Sequence, residues 1–158
     1  MKTKAKIWIY PLALMVVLFM FVSGCKKGET LLNKSETARN IGDSYGGGII
    51  FKIHWDGHYI YYIAATSDQS KSARWDTACV ICSLRVLNGY SDWRLPLDND
   101  LMEMYAQRNF IGGFGNGYYW SCDGNGSDIK PCINFKDGSW HSYSKDSTFC
   151  VRVIRGGI

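Results

Sequence analysis

The chain has 158 residues, with 18 Lys and Arg against 14 Asp and Glu and a formal net charge of +4. That length builds one compact domain and excludes two of ordinary size. The positive excess sits at the N-terminus, in Lys2, Lys4, Lys6, Lys26 and Lys27; the remainder is near neutral and has no basic stripe, which argues against nucleic acid as a partner.

Ile7 to Val22 is apolar apart from Tyr10 and Pro11, and Val22-Ser23-Gly24-Cys25 follows. A basic start, a short apolar core and small residues before a cut describe a secretory signal over residues 1–24. The last four residues resemble a bacterial lipobox, which makes Cys25 the lipidated first residue and anchors the protein to a membrane of the cell envelope. Against an uncleaved anchor stands the length of the apolar run, shorter than the ~20 residues that span a bilayer. Lys26 and Lys27 then lie beside the lipid headgroups. Residues 25–40 are polar except for Leu31-Leu32 and read as a tether. The folded domain is expected over 41–158.

Gly46-Gly47-Gly48 lacks the Lys-Ser/Thr and helix that a phosphate loop requires, so it reads as a tight turn or bulge before a strand. Strands are expected at Ile49 to Ile53 and Tyr59 to Ala65, joined through Asp56-Gly57, a hairpin signal. His54 and His58 flank that turn without a completing ligand pattern and read as solvated residues. Trp75, Ala78, Cys79, Cys82 and Val86 recur at helical spacing, predicting a helix over Ala73 to Asn88 that Asn88-Gly89 stops. A second helix is predicted from Asp98 to Arg108, with Asp98 and Asp100 at its positive end. Between them, Gly89 to Pro96 forms a rigid corner in which Trp93 and Leu95 alternate with Asp92 and Arg94. Short strands follow at Tyr118 to Cys122, Cys132 to Phe135, Trp140 to Tyr143 and Phe149 to Ile154. Strands, two helices, then strands make an α+β arrangement.

The segment Ile41-Gly42-Asp43-Ser44-Tyr45-Gly46-Gly47-Gly48-Ile49-Ile50-Phe51, with Asn88 to Pro96, Ile111-Gly112-Gly113-Phe114, Tyr119-Trp120-Ser121 and Val151-Arg152-Val153-Ile154-Arg155, resembles a bacterial domain of unknown function. That domain also forms the C-terminal part of a collagen-like bacterial adhesin and is similar in layout to the major paralogous domains of fibrolytic bacteria. The resemblance implies a C-type-lectin-like fold with two helices and short antiparallel strands. In C-type lectins a cysteine of the first helix bridges to the last strand, and Cys82 and Cys150 occupy similar places. Cys132, Gly138 and Trp140 follow a second pattern of those lectins, in which a cysteine opens an inner strand before a glycine and a tryptophan. The calcium-binding Glu-Pro-Asn loop and the Trp-Asn-Asp motif of sugar-binding members are missing, since His141-Ser142 follows Trp140.

Beyond Cys25 there are five cysteines, Cys79, Cys82, Cys122, Cys132 and Cys150. In an oxidising envelope the expected pairs are Cys82 with Cys150 and Cys122 with Cys132, leaving Cys79. Cys79-Val80-Ile81-Cys82 also has the spacing of a redox or zinc motif, but it falls mid-helix, away from the dipole that lowers a thiol pKa. Asp123, Asn125 and Asp128 carry oxygen ligands in a glycine-rich loop, a weak calcium pattern with no bidentate Glu after it. No other cofactor is indicated. Tyr119, Trp140, His141 and Tyr143 are the expected ligand contacts, Trp120 the structural aromatic. Together these readings describe a non-catalytic binding or adhesion module for a glycan or protein at the cell surface. The alternatives are an envelope thiol enzyme using Cys79 and Cys82, and a structural protein that self-assembles into homo-oligomers through aromatic surfaces.

Overall fold

The structure is a computed structural model, described here for residues 38–124 and 126–156; the expected signal, the expected lipidation at Cys25 and most of the expected tether fall on residues outside it. The described chain is α+β. Its strands are β1 (Ser44–Tyr45), β2 (Gly48–Trp55), β3 (Tyr59–Ala64), β4 (Ser70–Ala73), β5 (Tyr118–Trp120), β6 (Ile129–Asn134), β7 (Trp140–Ser144), β8 (Phe149–Val151) and β9 (Ile154–Gly156). The helices α1 (Trp75–Ser83), α2 (Asp98–Ala106) and α3 (Arg108–Ile111) lie between β4 and β5. One sheet has the order β1-β2-β3-β9 and the other β4-β8-β5-β6-β7.

Three glycines shape the entry to the first sheet. Gly46 and Gly47, with φ of 55° and 86°, make the two-residue turn that pairs Tyr45 with Gly48. A Cβ on Gly48 would collide with the carbonyl of Ala64, so β2 and β3 approach there as only glycine allows.

Four features depart from the sequence reading. Helix α1 ends at Ser83, not Asn88: Val86 continues the helical spacing but is exposed to solvent, and Asn88-Gly89 is the positive-φ centre of a small turn in which Leu87 and Tyr90 exchange backbone hydrogen bonds of 2.9 and 3.1 Å. Ala73 belongs to β4, a strand the reading did not contain. The short third helix is also additional. Finally, Phe149 to Ile154 is two strands in different sheets, and β5 pairs with β8 in parallel through Tyr119 and Cys150, so the second sheet is mixed rather than antiparallel.

The core lies in two clusters between the helices and the sheets, while β7 and the tip of the β2–β3 hairpin stay exposed. One core cluster joins α1 to the sheets through Ile50, Ile63, Ala78, Trp93, Trp120 and Val151, while the other joins α2 and α3 to them through Phe51, Leu101, Met104, Tyr119, Ile133 and Ile154. Successive residues of one strand therefore enter different clusters, as Ile50 and Phe51 do.

The Gly89 to Pro96 corner buries Trp93 and Leu95 and turns Arg94 towards Asp100. Asp100 is nearly buried. Its carboxylate accepts from Arg94 Nη1 at 3.0 Å and from the Leu97 N–H at 3.2 Å, capping α2, with Lys52 Nζ 3.7 Å away. Asp100→Ala orphans the N–H and leaves Arg94 without its carboxylate. We expect it to cost about 2–3 kcal/mol, measured as a lower urea midpoint at unchanged slope; a wild-type midpoint would contradict this role.

Candidate functional site

The exposed aromatic residues gather on two separate surfaces. The first is built by the β2–β3 hairpin. Its register sets Trp55 opposite Tyr59, and the two rings meet edge to face at 4.6 Å. Period-two alternation along β3 places Tyr61, itself 7% exposed, on the face of Tyr59, with near-parallel rings 6.1 Å apart. The partly buried Tyr45 of β1 abuts Tyr61 at 5.3 Å, so the exposed part of the row is Trp55 and Tyr59. Trp55 is 60% exposed and Tyr59 40%, although both are large apolar surfaces. Beside the row lies a cleft of about 310 Å³, lined by Tyr45, His58, Tyr59, Tyr61, Arg155 and Gly156 among others. Strand β9 pairs only with Tyr62–Ala64, so among the described residues the outer edge of Tyr59 to Tyr61 has no strand beside it.

Arg155 forms a fixed wall of that cleft. Its guanidinium donates to both carboxylate oxygens of Asp92, at 2.7 and 3.0 Å, and to the Gly46 carbonyl at 2.9 Å, and it stacks 3.7 Å from the Tyr90 ring centroid. That bidentate pairing holds the Asp92 carboxyl below its ordinary pKa.

The second surface is the outer end of the β5–β6–β7 sheet. Tyr118, His141, Tyr143 and Phe149 meet there, with Tyr118 5.2 Å from His141, 5.3 Å from Tyr143 and 5.0 Å from Phe149. Ser139 Oγ donates to Asp137 and lies 2.9 Å from His141 Nε2. The order is Asp-Ser-His within one turn. The carboxylate holds the hydroxyl rather than orienting the imidazole, so this is not the arrangement that activates a serine.

The four expected ligand contacts do not form one site. His141 and Tyr143 share a face. Trp140 points to the other, opposite Ile133. Tyr119 is fully buried: its hydroxyl donates to Asp68 at 2.9 Å and accepts from the Gly115 N–H at 2.9 Å, and burial pushes its pKa well up. It belongs to the core because β5 is flanked by β6 and β8 and covered on both faces. Trp120 is buried, its indole N–H donating to the Ala73 carbonyl at 2.8 Å.

In the loop after β5, Asp123 accepts from the Asp98 N–H at 2.8 Å at the start of α2, and Asp128 pairs with Lys145 at 3.1 Å. Asn125 lies outside the described residues. The two aspartates thus turn to different partners, and no group of three or more His, Cys, Asp or Glu among the described residues is placed to hold a metal ion. Asp98 itself is raised in pKa, by burial first and by the neighbouring Asp123 second.

All five described cysteines are free thiols, and neither expected bridge is formed. Cys132 sits opposite Trp120 in the β5–β6 ladder, two positions away from where Cys122 projects, and the Cys150 thiol approaches the Lys71 carbonyl. Instead, Cys79, Cys82 and Cys122 line one apolar cleft of about 200 Å³ with Ser83, Trp93 and Leu95. Burial raises all three thiols, Cys82 to about 12, so they are protonated at neutral pH. An activated thiolate has the opposite shift.

The aromatic cleft escaped the sequence reading because the Asp56-Gly57 turn accounted for its neighbours. The signal available was the spacing of Trp55, Tyr59 and Tyr61 across that turn, which a hairpin register brings to one face. No protein-family model matches the chain, and no curated protein matches it.

Proposed function

We propose that this is an envelope-anchored lipoprotein whose single C-type-lectin-like domain is a non-catalytic binding module for a glycan at the cell surface. The observation that carries the ligand reading is the ordered row Trp55, Tyr59, Tyr61 and Tyr45 beside a cleft of about 310 Å³. Rigid aromatic walls with a few hydroxyl and imidazole groups suit a sugar ring, whose C–H face packs on the aromatic while its hydroxyls meet phenols and histidine. The fold reading is supported by the strand-helix-helix-strand order and by the meeting of Trp93, Leu95, Trp120 and Val153 in one core cluster. The anchor reading rests on the N-terminal sequence ending at Cys25. The raised thiols weigh against an envelope thiol enzyme.

A glycan array probed with the chain from Lys26 onward, with calcium and with chelator, tests this. Binding is expected, and Tyr59→Ala should weaken it about tenfold or more, a loss of ~1.4 kcal/mol or more, without lowering Tm. Trp140→Ala should leave it unchanged. Loss with Trp140→Ala and retention with Tyr59→Ala would move the site to β7; silence from the folded protein would remove the glycan reading and favour a protein ligand.

A further inference from the structure

We infer that Cys79 and Cys122 form a disulfide when the protein meets an external disulfide, and that this bond fastens the β5–β6 loop to α1 while Cys82 stays reduced. The inference starts from the convergence of three cysteines, from two distant stretches of chain, on one cleft. Cys79 and Cys82 are three residues apart and so share a face of α1. Cys122 is carried to that face by a fixed backbone: its N–H donates to the Pro96 carbonyl at 2.7 Å, and the carbonyl of Ser121 accepts from the Trp75 indole at 2.8 Å.

Exposure then orders the three. Cys122 is exposed, Cys79 half-buried and Cys82 only 4% exposed, against Trp93. An external disulfide therefore meets Cys122 first. Burial then picks the next partner, since Cys79 is half-buried and Cys82 is buried. The Lys130 ammonium, 4.1 Å from the Trp75 ring centroid, acts to lower the pKa of both Cys79 and Cys122, as Arg85 does for Cys82.

The chemistry closes without any further reagent. The Cys122 thiolate attacks one sulfur of the external disulfide, releasing one thiol and leaving a mixed disulfide. The Cys79 thiolate attacks the Cys122 sulfur, forming the protein bond and releasing the second thiol. Two protein thiols lose two electrons and two protons, and the external disulfide gains them. Because both protein thiols are raised in pKa, the exchange is slow, as suits a structural fastener rather than a turnover catalyst.

The test is peptide mapping, without reduction, of the full-length protein incubated with oxidised glutathione and then alkylated in denaturant. A Cys79–Cys122 cross-linked peptide is expected, with alkylated Cys82, Cys132 and Cys150. Cys82→Ser should keep the cross-link and Cys79→Ser should replace it with glutathione on Cys122. The oxidised protein should melt about 5–10 °C above the reduced one, and Cys122→Ser should abolish that difference. A bridge containing Cys25, Cys132 or Cys150, a cross-link lost in Cys82→Ser but kept in Cys79→Ser, or no cross-link in the folded protein would each overturn the inference.

Discussion

Arg152→Met is expected to lower the unfolding free energy by about 3–5 kcal/mol, the scale for removing one partner of a buried ion pair. The side chain of Arg152 is fully buried, at the point where the chain leaves β8 in one sheet and enters β9 in the other. Its Nε donates to Asp68 at 2.7 Å, Nη1 to the Ala65 carbonyl at 2.8 Å, and Nη2 to the Gly113 carbonyl at 2.6 Å, while the guanidinium lies 4.1 Å from the Phe114 ring centroid. One planar cation thus ties the end of β3, the loop after α3 and the crossing strand together. Methionine matches the length and none of the donors. It leaves Asp68 buried with only the Tyr119 hydroxyl, and it orphans the carbonyl of the fully buried Ala65. Arg152→Lys restores the charge but not the fork, so it should recover less than half of the loss. Urea titrations of the three proteins measure this; a Met variant within 1 kcal/mol of wild type would show that the cation is not what joins the sheets.

The fate of Tyr119 follows from the same network and shows where sequence pattern stops informing. Alternation along Tyr118 to Ser121 correctly implies two faces. It cannot say that β5 will be flanked on both sides and covered on both faces, and that is what buries Tyr119 as well as Trp120. The Val151 to Arg155 segment contributed to the family resemblance while its two arginines had no assigned role; their partners, Asp68 and Asp92, are 84 and 63 residues away in sequence. The β2–β3 hairpin was legible because Asp56-Gly57 encodes its geometry locally. The C-terminal end of helix α1 falls five residues before the expected Asn88 for a related reason: Val86 keeps the helical period, yet Asn88-Gly89 makes a separate turn and leaves Val86 in solvent. Exposure of Trp55 and Tyr59 was equally illegible, since strand spacing fixes a shared face but not whether anything covers it.

Trp93→Ala is the other large effect, expected at about 3–5 kcal/mol for deleting a buried indole, and it carries a second readout that stability alone does not. Trp93 is 3% exposed, packs in the α1 core cluster with Cys82, and its indole N–H donates to the Leu87 carbonyl at 3.2 Å. That bond holds the small turn at Asn88-Gly89 against the corner. The ring also forms a wall of the cleft of about 200 Å³ that contains Cys79, Cys82 and Cys122. Alanine removes the wall, so the cleft deepens towards Cys82 and the turn loses its anchor. Under native conditions a disulfide reagent that colours on reaction should then modify Cys82 at least about tenfold faster than in wild type, the rate ratio for ~1.4 kcal/mol of easier access. Cys132 distinguishes this from general loosening, because it is fully buried in β6 and does not line the cleft. Selective acceleration at Cys82 identifies Trp93 as the residue that closes the thiol cleft. Equal acceleration at Cys132 would mean global unfolding, and unchanged rates at both with wild-type stability would mean that the corner does not depend on its tryptophan.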